Sequence, residues 1–180
     1  MIVEKQEYRR IVERLLHDTD QKTLPINISK IAQSLGIEVL KMSMPKPEVS
    51  GFIVKREDGQ ICIYVNENDA ITRQRFTIAH ELAHFYLHYK DEDNVDDKKV
   101  ILDFVKFRNG KYDYEGKEEE RQANAFAAEL LVPFYFLKEI WDDGYRDGHV
   151  VFLADLFAVS IEMMEHRLNN CRIDLEKAVR

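Results

Sequence analysis

Only two cysteines occur in the 180 residues, Cys62 and Cys171. They are too few and too far apart for a disulfide framework, and both are expected to be reduced structural thiols. Seven glycines and four prolines, in a chain that is 45% hydrophobic and 33% charged, exclude a fibrous or disordered protein. No apolar run reaches transmembrane length, and the start "MIVEKQEYRRIVERLL" interleaves charge where a secretory signal would be uninterrupted. A cytoplasmic protein without membrane attachment is therefore expected. Positive charge is also short, with 26 Lys and Arg against 33 Asp and Glu and a formal charge of -7. That balance disfavours nonspecific attraction to nucleic acid or anionic lipid and points to protein or small-molecule partners. Such a length suits one compact domain with an appended part and can bury a sizeable core.

The apolar periodicity predicts helix, helix, three strands, then helices. Tyr8, Ile11, Val12, Leu15 and Leu16 recur at helical spacing. In "PINISKIAQSLG", Asn27 is a candidate N-cap, Ile28, Ile31, Ala32 and Leu35 form the buried stripe, and Gly36 closes the helix. "IEVLKM", "GFIVK" and "QICIYVN" read as strands of a small sheet, antiparallel or mixed, with a hairpin turn at Asp58-Gly59. A strand over 60–66 at the sheet edge would be open to an extended substrate by strand addition. Residues 69–89 and 118–131 read as two strong helices, the second ended near Pro133, and three short helices follow. Between the strong helices, residues 90–116 read as a solvated acidic loop with an extra hairpin at Asn109-Gly110, a substrate lid being the second reading.

Within "RFTIAHELAHFYLHYK", His80 and His84 are four residues apart, which on a helix puts them on one face about 6 Å apart along the axis. Two imidazoles at that separation converge on one metal, and Glu81 projects beside them. The flanking Ile78, Ala79, Leu82, Ala83 and Phe85 predict burial, where imidazoles need partners. A shared zinc supplies one to each. His88 lies about 12 Å from His80 along a straight helix, too far for one ion to reach both, and is read as a residue of the cleft or surface.

A catalytic zinc needs a third protein ligand and a position left for water. In "EEERQANAFAAELLVP", Glu120, Ala123, Asn124 and Ala127 share a stripe whose alanines would let this helix approach the histidines closely. Glu120 is the preferred ligand, Glu119 the fallback, and Asn124 is placed to hydrogen-bond a ligand histidine. Glu81 is then the general base, passing a proton from water to the leaving amine. Arg75, His88, Tyr112 and Tyr114 are candidates for stabilising the oxyanion or lining the cleft, and the residues alone do not rank them.

Two of these stretches, "RFTIAHELAHFYLH" and "EERQANAFAAELLVP", together with "SGFIVKREDGQICIYVNEN" and "LADLFAVSIEMMEHRL", resemble the ImmA/IrrE family of zinc-dependent metallo-endopeptidases. The resemblance implies a minimal zincin-like α+β fold, a small sheet on an active-site helix, and a helix-turn-helix-like C-terminal portion. It implies His80, His84 and Glu120 as zinc ligands, Glu81 as the catalytic glutamate, and cleavage of a helix-turn-helix transcriptional repressor. Val132 departs from the methionine frequent before the proline, a packing position. A peptidase core over residues 1–133 and a C-terminal helical extension over 134–180, packed on the core, are expected.

The C-terminal "VVFLADLFAVSIEMMEHRLNN" also has the rhythm of a DNA-binding helix-turn-helix. From Tyr145 onward, however, five Lys or Arg face six Asp or Glu. Without a basic face the phosphate attraction is weak, and direct nucleic-acid binding is not expected. A structural zinc in a binding subunit is disfavoured because no cysteine lies near the histidines.

Overall fold

The computed structural model describes residues 2–44, 49–89, 117–144 and 149–178. In chain order run α1 (Ile2–Asp18), α2 (Ile28–Ser34), β1 (Ile37–Met42), β2 (Gly51–Lys55), β3 (Ile61–Asn66) and α3 (Ile71–His84). A π-helical turn (Phe85–Tyr89), α4 (Lys117–Leu131), α5 (Phe134–Asp142), α6 (Val150–Phe157) and α7 (Ile161–Ala178) complete an α+β fold. The chain forms two compact units, Ile28–Ala127 and the pair of segments Met1–Asn27 and Ala128–Arg180. The acidic stretch, the hairpin at Asn109-Gly110, Tyr112 and Tyr114 lie outside the described residues.

In the unit 28–127, α2 ends at Gly36, whose φ of +73° is the left-handed conformation expected of a closing glycine. The sheet is mixed, in the order β1-β3-β2. β1 runs parallel to β3 with Ile37 opposite Ile61, while β2 runs antiparallel to it with Ile53 opposite Ile63. The β2–β3 hairpin turns through Asp58-Gly59, with Gly59 at φ +83° and the Asp58 carboxylate accepting from the Gln60 N–H at 3.0 Å.

The condition for strand addition at 60–66, a place at the sheet edge, is not met. β3 is the central strand, paired on both sides, so its backbone is not open to an added substrate strand. The physical reason is its side chains: Cys62, Ile63 and Val65 are all fully buried, and a strand apolar on both faces gains most in the middle of a covered sheet.

Helix α3 lies close against this sheet. A Cβ on Gly51 would come within 2.5 Å of both the Tyr64 carbonyl oxygen and Thr77 Cγ2, so only glycine permits that approach. At its start, Gln74 reaches back to the carbonyls of Glu67 and Asp69 at 3.2 and 2.7 Å, and Arg73 donates to Ser50 Oγ at 2.7 Å. The helix expected over 69–89 is α-helical only to His84; the ladder then widens into the π turn. A π turn inserts a residue into the α-helical repeat and changes which side chains follow the histidine face.

In the unit built from residues 1–27 and 128–180, α1 buries Tyr8, Val12, Leu15 and Leu16. Arg9 lies over the Phe134 ring, 3.6 Å from its centroid, and Lys5 Nζ donates to the Asn170 carbonyl at 2.9 Å. The turn at Val132-Pro133 is held by a buried carboxylate: Glu129 Oε1 accepts the Phe134 N–H at 2.8 Å, and Oε2 pairs with Arg167 Nη2 at 2.5 Å. Arg167 Nε also donates to the Val132 carbonyl at 3.0 Å. Between α6 and α7, Ala158 takes the left-handed conformation at φ +51° and Ser160 Oγ accepts the Met163 N–H at 3.2 Å. This N-cap starts α7 and completes a helix-turn-helix-like pair.

Candidate metal centre

His80, Glu81 and His84 lie on the buried part of α3, at 1%, 0% and 1% exposure. α4 brings Glu120 against them: Glu120 Oε1 is 3.1 Å from His84 Nε2, Oε2 is 3.3 Å from His80 Nε2, and the two Nε2 atoms are 3.0 Å apart. One donor atom from each of the three residues lies within 4.8 Å of the others. The approach of α4 is possible because Ala123 and Ala127, one and two turns beyond Glu120, are small and fully buried.

Electrostatics suit a cation here. Burial opposes ionisation of Glu120, but hydrogen bonds and charge from His80 and His84 together outweigh it and hold its carboxyl down to about 2. The cluster thus presents an anionic carboxylate at neutral pH. His80 Nδ1 lies 3.0 Å from Asn124 Oδ1, an oxygen that can only accept, so Nδ1 carries a proton and Nε2 faces the other two ligands, where it can either donate to the Glu120 carboxylate or offer its lone pair to a cation. Two imidazole nitrogens and a carboxylate oxygen are a donor set zinc accepts, and without a proton or cation between them the facing Nε2 lone pairs repel. The residues present fit a metal ion.

The remaining candidates sit differently. Glu119 is exposed and outside the cluster, and Glu118 pairs with Arg121 on the helix surface, which pulls its carboxyl down to about 2. The His88 ring centroid is 5.6 Å from that of His84, four residues before it, but His88 is not among the three converging donors. Arg75 is half-buried on α3, and burial lowers its pKa from the ordinary value. The buried Glu129–Arg167 pair had no signal in the sequence; helical phase alone groups Glu129 with a polar stripe.

The sequence matches the IrrE N-terminal-like domain over residues 32–169, a span that takes in every residue of the cluster. The chain belongs to this peptidase family. No curated protein matches it. Among solved structures it is similar to a transcriptional regulator of Mycobacterium tuberculosis, with a TM-score of 0.61 at 17% identity over 90% of this chain. The alignment spans 46% of that regulator's length, and the likeness is one of fold. Among the described residues, no helix of this family member is long and apolar enough to cross a membrane.

Proposed function

We propose that this protein is a zinc-dependent endopeptidase that makes limited cleavages in a helix-turn-helix transcriptional repressor and so relieves repression. The observation that carries the chemistry is the convergence of His80, His84 and Glu120 beside the fully buried Glu81. In this reading those three residues hold the ion. Bound there, zinc supplies Lewis acidity, lowering the pKa of a water toward about 7 and polarising a carbonyl. Glu81 accepts the proton of the attacking water and delivers it to the leaving amine. Asn124 keeps His80 in the tautomer whose Nε2 faces the ligands. The apolar neighbours Ala79, Leu82 and Ala83, all buried, exclude bulk water from one side of the site and strengthen these interactions.

Family membership supports a peptidase, and the acidic chain, at a formal charge of -7, suits a basic target such as a DNA-binding repressor. A peptidase core over 1–133, a C-terminal helical extension over 134–180 and a cytoplasmic setting belong to the same proposal. A peptidase sharing a compartment with other proteins needs its specificity from target presentation rather than from one extended sequence. The test incubates the zinc-loaded protein with a helix-turn-helix repressor and with casein, and maps products by mass spectrometry. Cleavage at one or a few repressor sites, absent in Glu81→Gln with the metal retained, is expected. Digestion of casein with the repressor intact would reject the substrate, and equal cleavage by Glu81→Gln would reject the base.

A further inference from the structure

Helices α6 and α7 have the arrangement of a DNA-reading pair, yet the charge on their exposed side is wrong for DNA. Along α7 as far as Cys171, the exposed residues are Ile161, Glu162, Glu165, His166, Asn169 and Asn170. The one arginine in that stretch, Arg167, is 8% exposed and turned inward onto Glu129 and the Val132 carbonyl. On α6 the exposed residues include Val151, Phe152 and Asp155. A recognition helix needs cations against phosphate, and here two glutamates occupy the exposed side of its first two turns.

The same two helices also carry large apolar side chains at their exposed positions. Val151 is 62% exposed, Phe152 47% and Ile161 47%, three of the six large hydrophobic residues exposed among the described residues. Asp155 stands one turn after Val151 and Phe152 on α6, at i+4 and i+3, and Glu165 one turn after Ile161 on α7. Each exposed apolar residue therefore has a carboxylate neighbour on its own helix. An apolar centre flanked by charge of one sign is the composition of a protein-docking surface, the apolar residues supplying affinity and the charges selecting the partner.

We infer that the α6–α7 face docks a protein surface that carries lysine and arginine around an apolar centre. This rests on the repressor reading above and deepens it: the basic partner is the substrate, held by this face while cleavage takes place elsewhere. Charge complementarity chooses the occupant. Asp155, Glu162 and Glu165 would repel an acidic partner, and a second copy of this chain would bring the same three carboxylates against them.

The probe is a fluorescein-labelled 20-residue amphipathic helix with leucines on one face and lysines flanking them, compared with a peptide in which every lysine is glutamate. Anisotropy is read in the full-length Glu81→Gln background, where no cleavage intervenes. Binding of the basic peptide is expected to weaken at least tenfold with Glu162→Lys plus Glu165→Lys, and similarly with Phe152→Ser plus Ile161→Ser, and to weaken with salt. All changes fall on exposed side chains, and unchanged far-UV circular dichroism verifies the fold. Unaltered affinity in both double variants would overturn the inference, as would equal binding of the acidic peptide. Self-association of the parent chain that both variants abolish would assign the face to a second copy and overturn it too. Because binding is read without catalysis, failure here leaves the peptidase reading standing, and absence of proteolysis leaves this one standing.

Discussion

Asn124 Oδ1 accepts the Nδ1 proton of His80 across 3.0 Å, so a residue of α4 determines which nitrogen of an α3 histidine faces the metal cluster. Asn124→Ala and Asn124→Leu are expected to lower zinc affinity about 10–100-fold while leaving the fold intact. Competition with a chromogenic chelator measures this. Asn124→Asp, which restores an acceptor, should recover much of the loss; no difference between alanine and aspartate would show that the hydrogen bond does not matter.

Zinc is expected to stabilise the folded chain through the same three residues. A ligand at 100 times its Kd contributes about 2.7 kcal/mol, which for a chain of this size raises Tm by roughly 5–10 °C. The rise should vanish in His84→Ala and shrink strongly in Glu120→Ala, yet persist in Glu118→Ala and Glu119→Ala, since both of those carboxylates are exposed and outside the cluster. Scanning fluorimetry with and without zinc, paired with metal analysis, tests the order.

Arg167→Met should cost about 3–5 kcal/mol, because it leaves the Glu129 carboxylate buried without its cation. Adding Glu129→Met should restore much of that stability, since two apolar side chains then replace a desolvated ion pair. Urea denaturation of the single and double variants gives the comparison. A single variant as stable as the parent chain would show that solvent reaches Glu129.

Burial pushes the Cys171 thiol above its ordinary pKa of 9.0, the neighbouring Arg167 opposing the shift. The folded state therefore binds this proton more tightly than the unfolded state does. Its contribution is fully present below about pH 9 and is lost as pH rises through the folded value. Stability should fall more steeply above pH 9 in the parent chain than in Cys171→Ala, read as the difference between their urea midpoints at pH 7.5 and 10. Both cysteines are buried, at 0% and 1% exposure, so a thiol reagent should label them fast only after unfolding.

The histidine pair and Glu81 were legible in the sequence because the helical repeat is local: a spacing of four residues specifies a shared face whatever the helix packs against. Gly36 and the Asp58-Gly59 turn were legible for the same reason, since left-handed backbone is a property of one residue. The phase of α4 favoured Glu120 over its two neighbours, but only the approach of α4 to α3 puts its oxygens 3.1 and 3.3 Å from the imidazoles. The position of β3 belonged to tertiary structure, because pairing is decided by which strands find each other. Its unbroken apolar run from Ile61 to Val65 did carry a hint of a strand covered on both faces. The π turn after His84 left no mark in residue types. Nor did Glu129 and Arg167: 38 residues apart, they are ordinary surface ions by helical pattern and become partners only where folding removes both from water.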